Sequence, residues 1–164
     1  MRYTVDCEFD GHGGTLISLA LVPEFVEYPE EALYMITTEA YSPIIQDEWV
    51  KQNVLPILYH RLPCDAGYCP EFRVGAHIRK YLKNDLHPVI IADSPVDIWR
   101  FCELLTSTET YEWQSTEFPR MTFEVRNVEC WPNNLGPDAK QHNAYWDAVA
   151  LWEKINAADD TRKS

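Results

Sequence analysis

Positive charge is what this sequence has least of. Its 164 residues carry 14 lysines and arginines against 26 aspartates and glutamates, a formal net charge of −12 at pH 7. That deficit argues against holding nucleic acid or anionic membrane by bulk electrostatics. It does not argue against an enzyme that works on such polymers through metal, because bound cations neutralise clustered acids. Long apolar runs are also missing. None approaches the length that spans a bilayer, and the first residues lack the basic-then-apolar layout of a signal peptide. No membrane association and a cytoplasmic location are therefore expected. Cysteines number five, an odd count without a dense framework, which suits reduced thiols rather than a disulfide scaffold. Internal repeats and low-complexity segments are absent. What is present is 46% hydrophobic and 13% aromatic residues, enough for an ordered globular domain with a sizeable core.

A single domain over residues 1–157 is expected, with a polar, fraying tail at 158–164. Residues 2–9 alternate apolar and polar, as a half-buried strand does. Gly11-His12-Gly13-Gly14 reads as a turn, and Thr15 to Val22 as a hairpin partner. Ala32 to Thr37 gives a third strand. Asp47 to Leu58 and Phe72 to Leu82 read as helices, separated by a Pro/Gly/Cys stretch from Pro63 to Pro70. Val89 to Ala92 is continuously apolar, the pattern of a buried central strand. It runs into Ser94, a good N-cap, and Pro95, suited to a first helical position. The following helix places Ile98, Phe101, Cys102 and Leu105 on one face. Met121 to Val125 supplies a fifth strand, and a last helix carries Ala144, Ala148, Leu151 and Ile155 at helical spacing. The order predicts a mixed α/β fold: three antiparallel strands, then parallel ones, flanked by helices, with the buried parallel strand beside the first.

Three groups of acids stand out. Asp6 and Glu8 project from one face of the first strand, where two like charges are unfavourable unless a cation joins them. Their hard oxygen atoms suit Mg²⁺ or Mn²⁺. A solvated edge-strand face is the alternative. An EF-hand start is excluded, since the twelfth residue from Asp6 is Ile17. Asp97 follows the buried strand, where α/β proteins place sites, but Ser94-x-x-Asp97 also reads as a capping box, and Asp93 is a rival carboxylate in the same turn. Asp147 flanks the buried stripe of the last helix, where an acid without a basic neighbour wants a cation. His142 can reach that site only if it precedes the helix, with Asn143 as N-cap. Otherwise it is a surface residue.

Taken together, "VDCEFDG" (Val5 to Gly11) with "ISLALV" (Ile17 to Val22), "IIADSPVD" (Ile90 to Asp97) and "HNAYWDA" (His142 to Ala148) resemble the motifs of the DEDDh 3′–5′ exonucleases. These belong to the ribonuclease H-like superfamily and include ribonuclease T and proofreading subunits. The D-x-E-F start is similar to that of small bacterial and phage-type exoribonuclease domains. The resemblance spans nearly the whole chain and implies a ribonuclease H-like five-stranded mixed sheet. It implies that Asp6, Glu8, Asp97 and Asp147 bind two Mg²⁺ ions, replaceable by Mn²⁺, with His142 as general base. The implied activity releases nucleoside 5′-monophosphates from single-stranded 3′ ends, RNA favoured over DNA, in a homodimer whose partner supplies substrate-binding surface. Two departures matter. Asp93 stands where the family usually has asparagine, and no second substrate-binding module is evident.

Phe9, Gly11 and His12 follow the acidic strand and are candidate contacts to the terminal nucleotide, although Phe9 shares a face with Val5 and Cys7 and reads equally as core. Trp99, Trp131, Tyr145 and Trp146 read as core or rim, with any exposed one able to stack a base. His60, Cys64, Cys69 and His77 have a spacing that fits no common zinc framework. A non-catalytic nucleic-acid-binding domain, an oligonucleotide-trimming hydrolase and a DNA exonuclease remain as alternatives.

Overall fold

The alternation at the start becomes strand β1, Arg2–Phe9. Tyr3, Val5 and Cys7 join one buried cluster, while the Thr4 hydroxyl donates to the Ala148 carbonyl at 2.8 Å on the opposite face. The computed structural model describes residues 1–24, 31–106, 120–126, 131–132 and 135–163, the last five of these by their backbone alone. A turn in which Gly11 takes φ 69° leads into β2, Leu16–Pro23, antiparallel to β1. β3, Leu33–Thr37, pairs antiparallel with β2. Helix α1, Glu48–Asn53, follows, then a 3₁₀ turn at Leu55–Ile57 and the short strand β4, Ala66–Cys69, parallel to β3. Helix α2 covers Glu71–Leu82 and strand β5 covers Val89–Ala92, the latter parallel to β1. Helix α3 is Pro95–Thr106, strand β6 is Thr122–Val125 and parallel to β5, and helix α4 is Ala144–Lys163. The sheet runs β4-β3-β2-β1-β5-β6.

The sheet has six strands, not the five expected from the sequence. The extra one, Ala66-Gly67-Tyr68-Cys69, is too short and mixed to show a period, and it lies between Pro63 and Pro70. Docking against β3 makes it a strand. The helix expected over Asp47 to Leu58 is shorter, because Pro56 has no N–H to give and its ring clashes with the preceding turn. Asp47 is its N-cap, accepting from the Trp49 and Val50 amides at 2.8 and 3.2 Å. On α3 the buried stripe is Asp97, Arg100, Phe101, Leu104 and Leu105, with Ile98 and Cys102 only half-buried. At the other end, α4 continues through residues assigned to a fraying tail, as far as Lys163; Ser164 lies outside the described residues.

Three layers result. One apolar cluster joins the sheet to α4 through Ala144, Ala148, Leu151 and Ile155, and to α1 through Val50. The other joins it to α2 and α3 through Val74, Ile78, Phe101 and Leu104. β2 is buried along its whole length. Polar ties also hold α4 to the sheet: the Thr4 hydroxyl donates to the Ala148 carbonyl, and the Trp152 indole N–H donates to the Val22 carbonyl at 2.9 Å. Among the described residues no helix is long and apolar enough to cross a membrane.

Helices α2 and α3 meet at Gly75, where a Cβ would lie 2.0 Å from the Leu104 carbonyl oxygen. The Arg79 guanidinium donates to the Leu105 carbonyl at 2.6 Å beside this contact. Gly75→Ala must push apart the pair that seats α3, and a loss of about 1–3 kcal/mol is expected. Urea unfolding should show a lower midpoint with an unchanged slope. An unchanged midpoint would mean that α2 withdraws at no cost.

Candidate metal centre

The last β1–β5 pair is Thr4 with Ile91, so β1 runs on beyond its parallel neighbour. The Cys7 backbone N–H, freed on that side, donates to the Asp97 carboxylate on the first turn of α3. Ser94 caps the same helix, its Oγ accepting from the Val96 amide at 3.1 Å. Asp97 therefore reaches across to β1 at the carboxyl ends of the parallel strands, where α/β sheets gather their sites.

Asp147 arrives from the first turn of α4. Its carboxylate accepts from the backbone N–H groups of His142 and Asn143. Asn143 caps the helix, its Oδ1 accepting from the Tyr145 and Trp146 amides at 3.2 and 3.4 Å. Its Nδ2 donates to the carbonyls of Ile57 at 2.8 Å and Leu58 at 3.3 Å, pinning the helix start to the segment after α1. His142 thus precedes the helix, in a left-handed conformation at φ 67° that non-glycine residues seldom adopt. This is the placement without which it could not face Asp147.

The acids meet in two groups. Carboxylate oxygens of Asp6, Glu8 and Asp147 lie within 4.8 Å of one another, and so do those of Asp6, Asp93 and Asp97. Asp6 belongs to both. Asp6, Glu8, Asp93, Asp147 and His142 line an open cleft of about 270 Å³, with Asp97 buried behind it. Trp131, Gln141, Ala150, Leu151 and Lys154 line the rest of the cleft.

Electrostatics make this cluster unfavourable for the protein alone. Burial first, then the charges of Asp147, Asp97, Glu8 and Asp93, hold the Asp6 carboxyl well above the ordinary carboxylate range. Glu8 is raised by burial and by Asp147 and Asp97. The Glu8 and Asp147 carboxyls lie close enough that each shifts the other, Asp147 raising Glu8. Burial pushes Asp147 up to about 7, against the stabilising N–H groups of His142 and Asn143. Burial and the neighbouring Asp93 push Asp97 up to about 7. Asp93 is raised by burial and relieved in part by Lys154. Among the described residues, no arginine or lysine closes an ion pair with any of the five. Hard, crowded oxygen donors without a basic partner fit Mg²⁺ or Mn²⁺. Burial lowers the pKa of His142, which keeps its imidazole neutral at pH 7.

Other residues fall elsewhere. Phe9 packs against the α2–α3 cluster and lies under the Arg100 guanidinium, 5.4 Å from its ring centroid. That guanidinium also covers Trp99 at 5.1 Å and donates to the Gly13 and Gly14 carbonyls, clamping the hairpin turn to α3. Gly11 and His12 are exposed in this turn, and neither they nor Phe9 line the cleft. Cys64 and Cys69 belong to cores on opposite faces, and with His60 and His77 they form no ligand group among the described residues. Asp10 stays out of the acid groups: its carboxylate accepts from the Gln46 and Asp47 amides at 3.0 and 2.9 Å. Sequence reasoning passed over Lys154, although seven residues after Asp147 puts it on the same helix face. It weighed Asp93 as a rival to Asp97 and as a departure from the family's asparagine, whereas the two stand together in one oxygen group. No protein-family model matches the chain, and no curated protein matches it.

Two predictions follow from the crowding. In metal-free protein the native state holds protons that the unfolded chain releases above the ordinary carboxylate range, near pH 4. Stability is then greatest at low pH and is lost as pH rises through about 7. With EDTA present, the melting temperature should fall between about pH 5 and pH 8, and millimolar Mg²⁺ should remove most of that fall. A melting curve indifferent to Mg²⁺ at pH 8 would count against the centre. Asp6→Asn should raise the metal-free melting temperature at pH 8 and abolish the response to Mg²⁺. A drop in the metal-free value would show that Asp6 is not under repulsion.

Proposed function

We propose that this protein is a metal-dependent 3′–5′ exonuclease with a ribonuclease H-like fold, acting on single-stranded 3′ ends. The observation that carries the reading is Asp6, shared between two oxygen groups with His142 at the edge of the same cleft. The sheet supports it: an antiparallel β1–β2–β3 run with β5 and β6 added parallel to β1. Mg²⁺ is the proposed cofactor, with Mn²⁺ as substitute. Divalent cations bound here would lower the pKa of water and neutralise charge on the phosphate and the departing 3′ oxygen.

The residues divide the work. Asp6 is placed to hold both ions, Glu8 and Asp147 to complete one position, and Asp93 with Asp97 to complete the other. Neutral His142 takes the proton from the attacking water, and its lowered pKa keeps it available for that at pH 7. Lys154, which lines the cleft and partly offsets the charge of Asp93, offers an ammonium group to substrate phosphate. Ala150 and Leu151 offer an apolar lining for the terminal sugar or base. A small acidic cleft with sparse cations suits short single-stranded ends better than duplex. RNA as the favoured polymer, a homodimer and a cytoplasmic setting belong to the same reading and rest on the motif resemblance. The size of the cleft also favours a second reading, trimming confined to very short oligomers.

The test is direct. With 5′-labelled single-stranded RNA and DNA and Mg²⁺, the protein should give a stepwise ladder that Asp6→Ala eliminates. His142→Ala should slow cleavage by about 10²–10⁴-fold while leaving Mg²⁺-dependent stabilisation intact. Shortening confined to oligomers of a few nucleotides selects the second reading. Tight binding of either polymer without cleavage would replace both by a binding module.

A further inference from the structure

We infer that Trp49 is the positioning residue for His142, holding the imidazole against the cleft through an edge-to-face ring contact. The inference rests on the nuclease reading and concerns how its general base is aimed. The indole and imidazole centroids are 4.8 Å apart with an interplanar angle of 81°, a favourable quadrupolar arrangement. A catalytic histidine is ordinarily oriented by a carboxylate or carbonyl on its second nitrogen. Among the described residues, the His142 ring has Trp49 as its contact instead.

The origin of that contact lies in β1. Asp10 immediately follows the strand that carries Asp6 and Glu8, and its carboxylate holds the Gln46 and Asp47 amides. Asp47 in turn caps α1 by accepting from the Trp49 amide itself. A chain of short links thus runs from the acidic strand through Asp10 and Asp47 to Trp49 and His142. Trp49 is 50% exposed, so core formation does not account for a tryptophan at this position. On the other side, the His142 backbone N–H is held by Asp147. The residue is therefore fixed at its backbone by a metal-site acid and at its ring by the indole.

The experiment compares Trp49→Ala and Trp49→Phe with wild type on a single-stranded oligonucleotide with Mg²⁺, reading kcat and KM separately. An imidazole left free to turn should cost Trp49→Ala about tenfold or more in kcat, with KM within about twofold. Trp49→Phe should recover most of the loss, since a phenyl ring preserves the contact. NMR gives a reading that needs no turnover. The His142 ring protons, assigned with His142→Ala, should be displaced by the indole ring current in wild type and return toward ordinary positions in Trp49→Ala. A raised KM at unchanged kcat would overturn the inference, making Trp49 a substrate contact. Unchanged kinetics, or His142 protons that do not move, would also overturn it. A wild type that cleaves no nucleic acid overturns the nuclease reading and the catalytic role with it, while the NMR shifts still decide whether the ring contact exists.

Discussion

Five carboxylates crowded around the carboxyl ends of β1 and β5 are the constraint that the rest of the structure answers to. Two unit charges about 4 Å apart repel by about 4 kcal/mol in surroundings of intermediate dielectric, so a cluster of this kind does not assemble by itself. Its members come from three distant parts of the chain. Asp6 and Glu8 lie on β1, Asp93 and Asp97 at the β5–α3 junction, and Asp147 on α4. Apolar burial on both faces of the sheet brings these parts together. The backbone N–H groups of Cys7, His142 and Asn143 supply fixed partial charge to two of the acids. The rest of the repulsion is met by protons on the raised carboxyls, or, in the proposed reading, by cations.

Several polar contacts hold the segments around the acids in place. Asn143 bonds both α4 and the segment after α1, Asp10 bonds the entry to α1, and Arg100 binds the hairpin turn to α3. None of these side chains belongs to an acid group. Asn143 fixes the start of the helix that carries Asp147, and Asp10 and Arg100 tie down the end of β1 and the turn after it. Arg100, buried and joined to Glu71 and Glu103 at 3.0 and 2.8 Å, does this without placing its charge among the acids. Among the described residues Lys154 is the lysine that lines the cleft, where its charge partly offsets Asp93.

Much of this was legible in the residues, for reasons that differ by element. Alternation exposed β1, and an unbroken apolar run exposed β5. The requirement that His142 precede its helix followed from helical geometry alone, and the left-handed backbone at His142 meets it. β4 was hidden because its strand character comes from pairing with β3 rather than from its own four residues. The buried stripe of α3 was misread because Asp97 and Arg100 look like surface residues, and burial of a charged side chain depends on partners that periodicity does not contain. Trp49 escaped for a similar reason, and Asp93 was noticed without being placed in the acid group. Each acquires its place only when the turn after β5, or α1, is set against β1.

The claim at the centre is that Asp6 is shared by two cations. Titrating the metal-free protein with Mn²⁺ under electron paramagnetic resonance tests it most directly. The account predicts two ions bound per chain, with the signal of the first altered by spin coupling as the second arrives, as expected for ions about 4 Å apart. Asp6→Asn should remove the coupling. A protein that takes up no Mn²⁺, or whose ions remain uncoupled and indifferent to Asp6→Asn, would contradict the account.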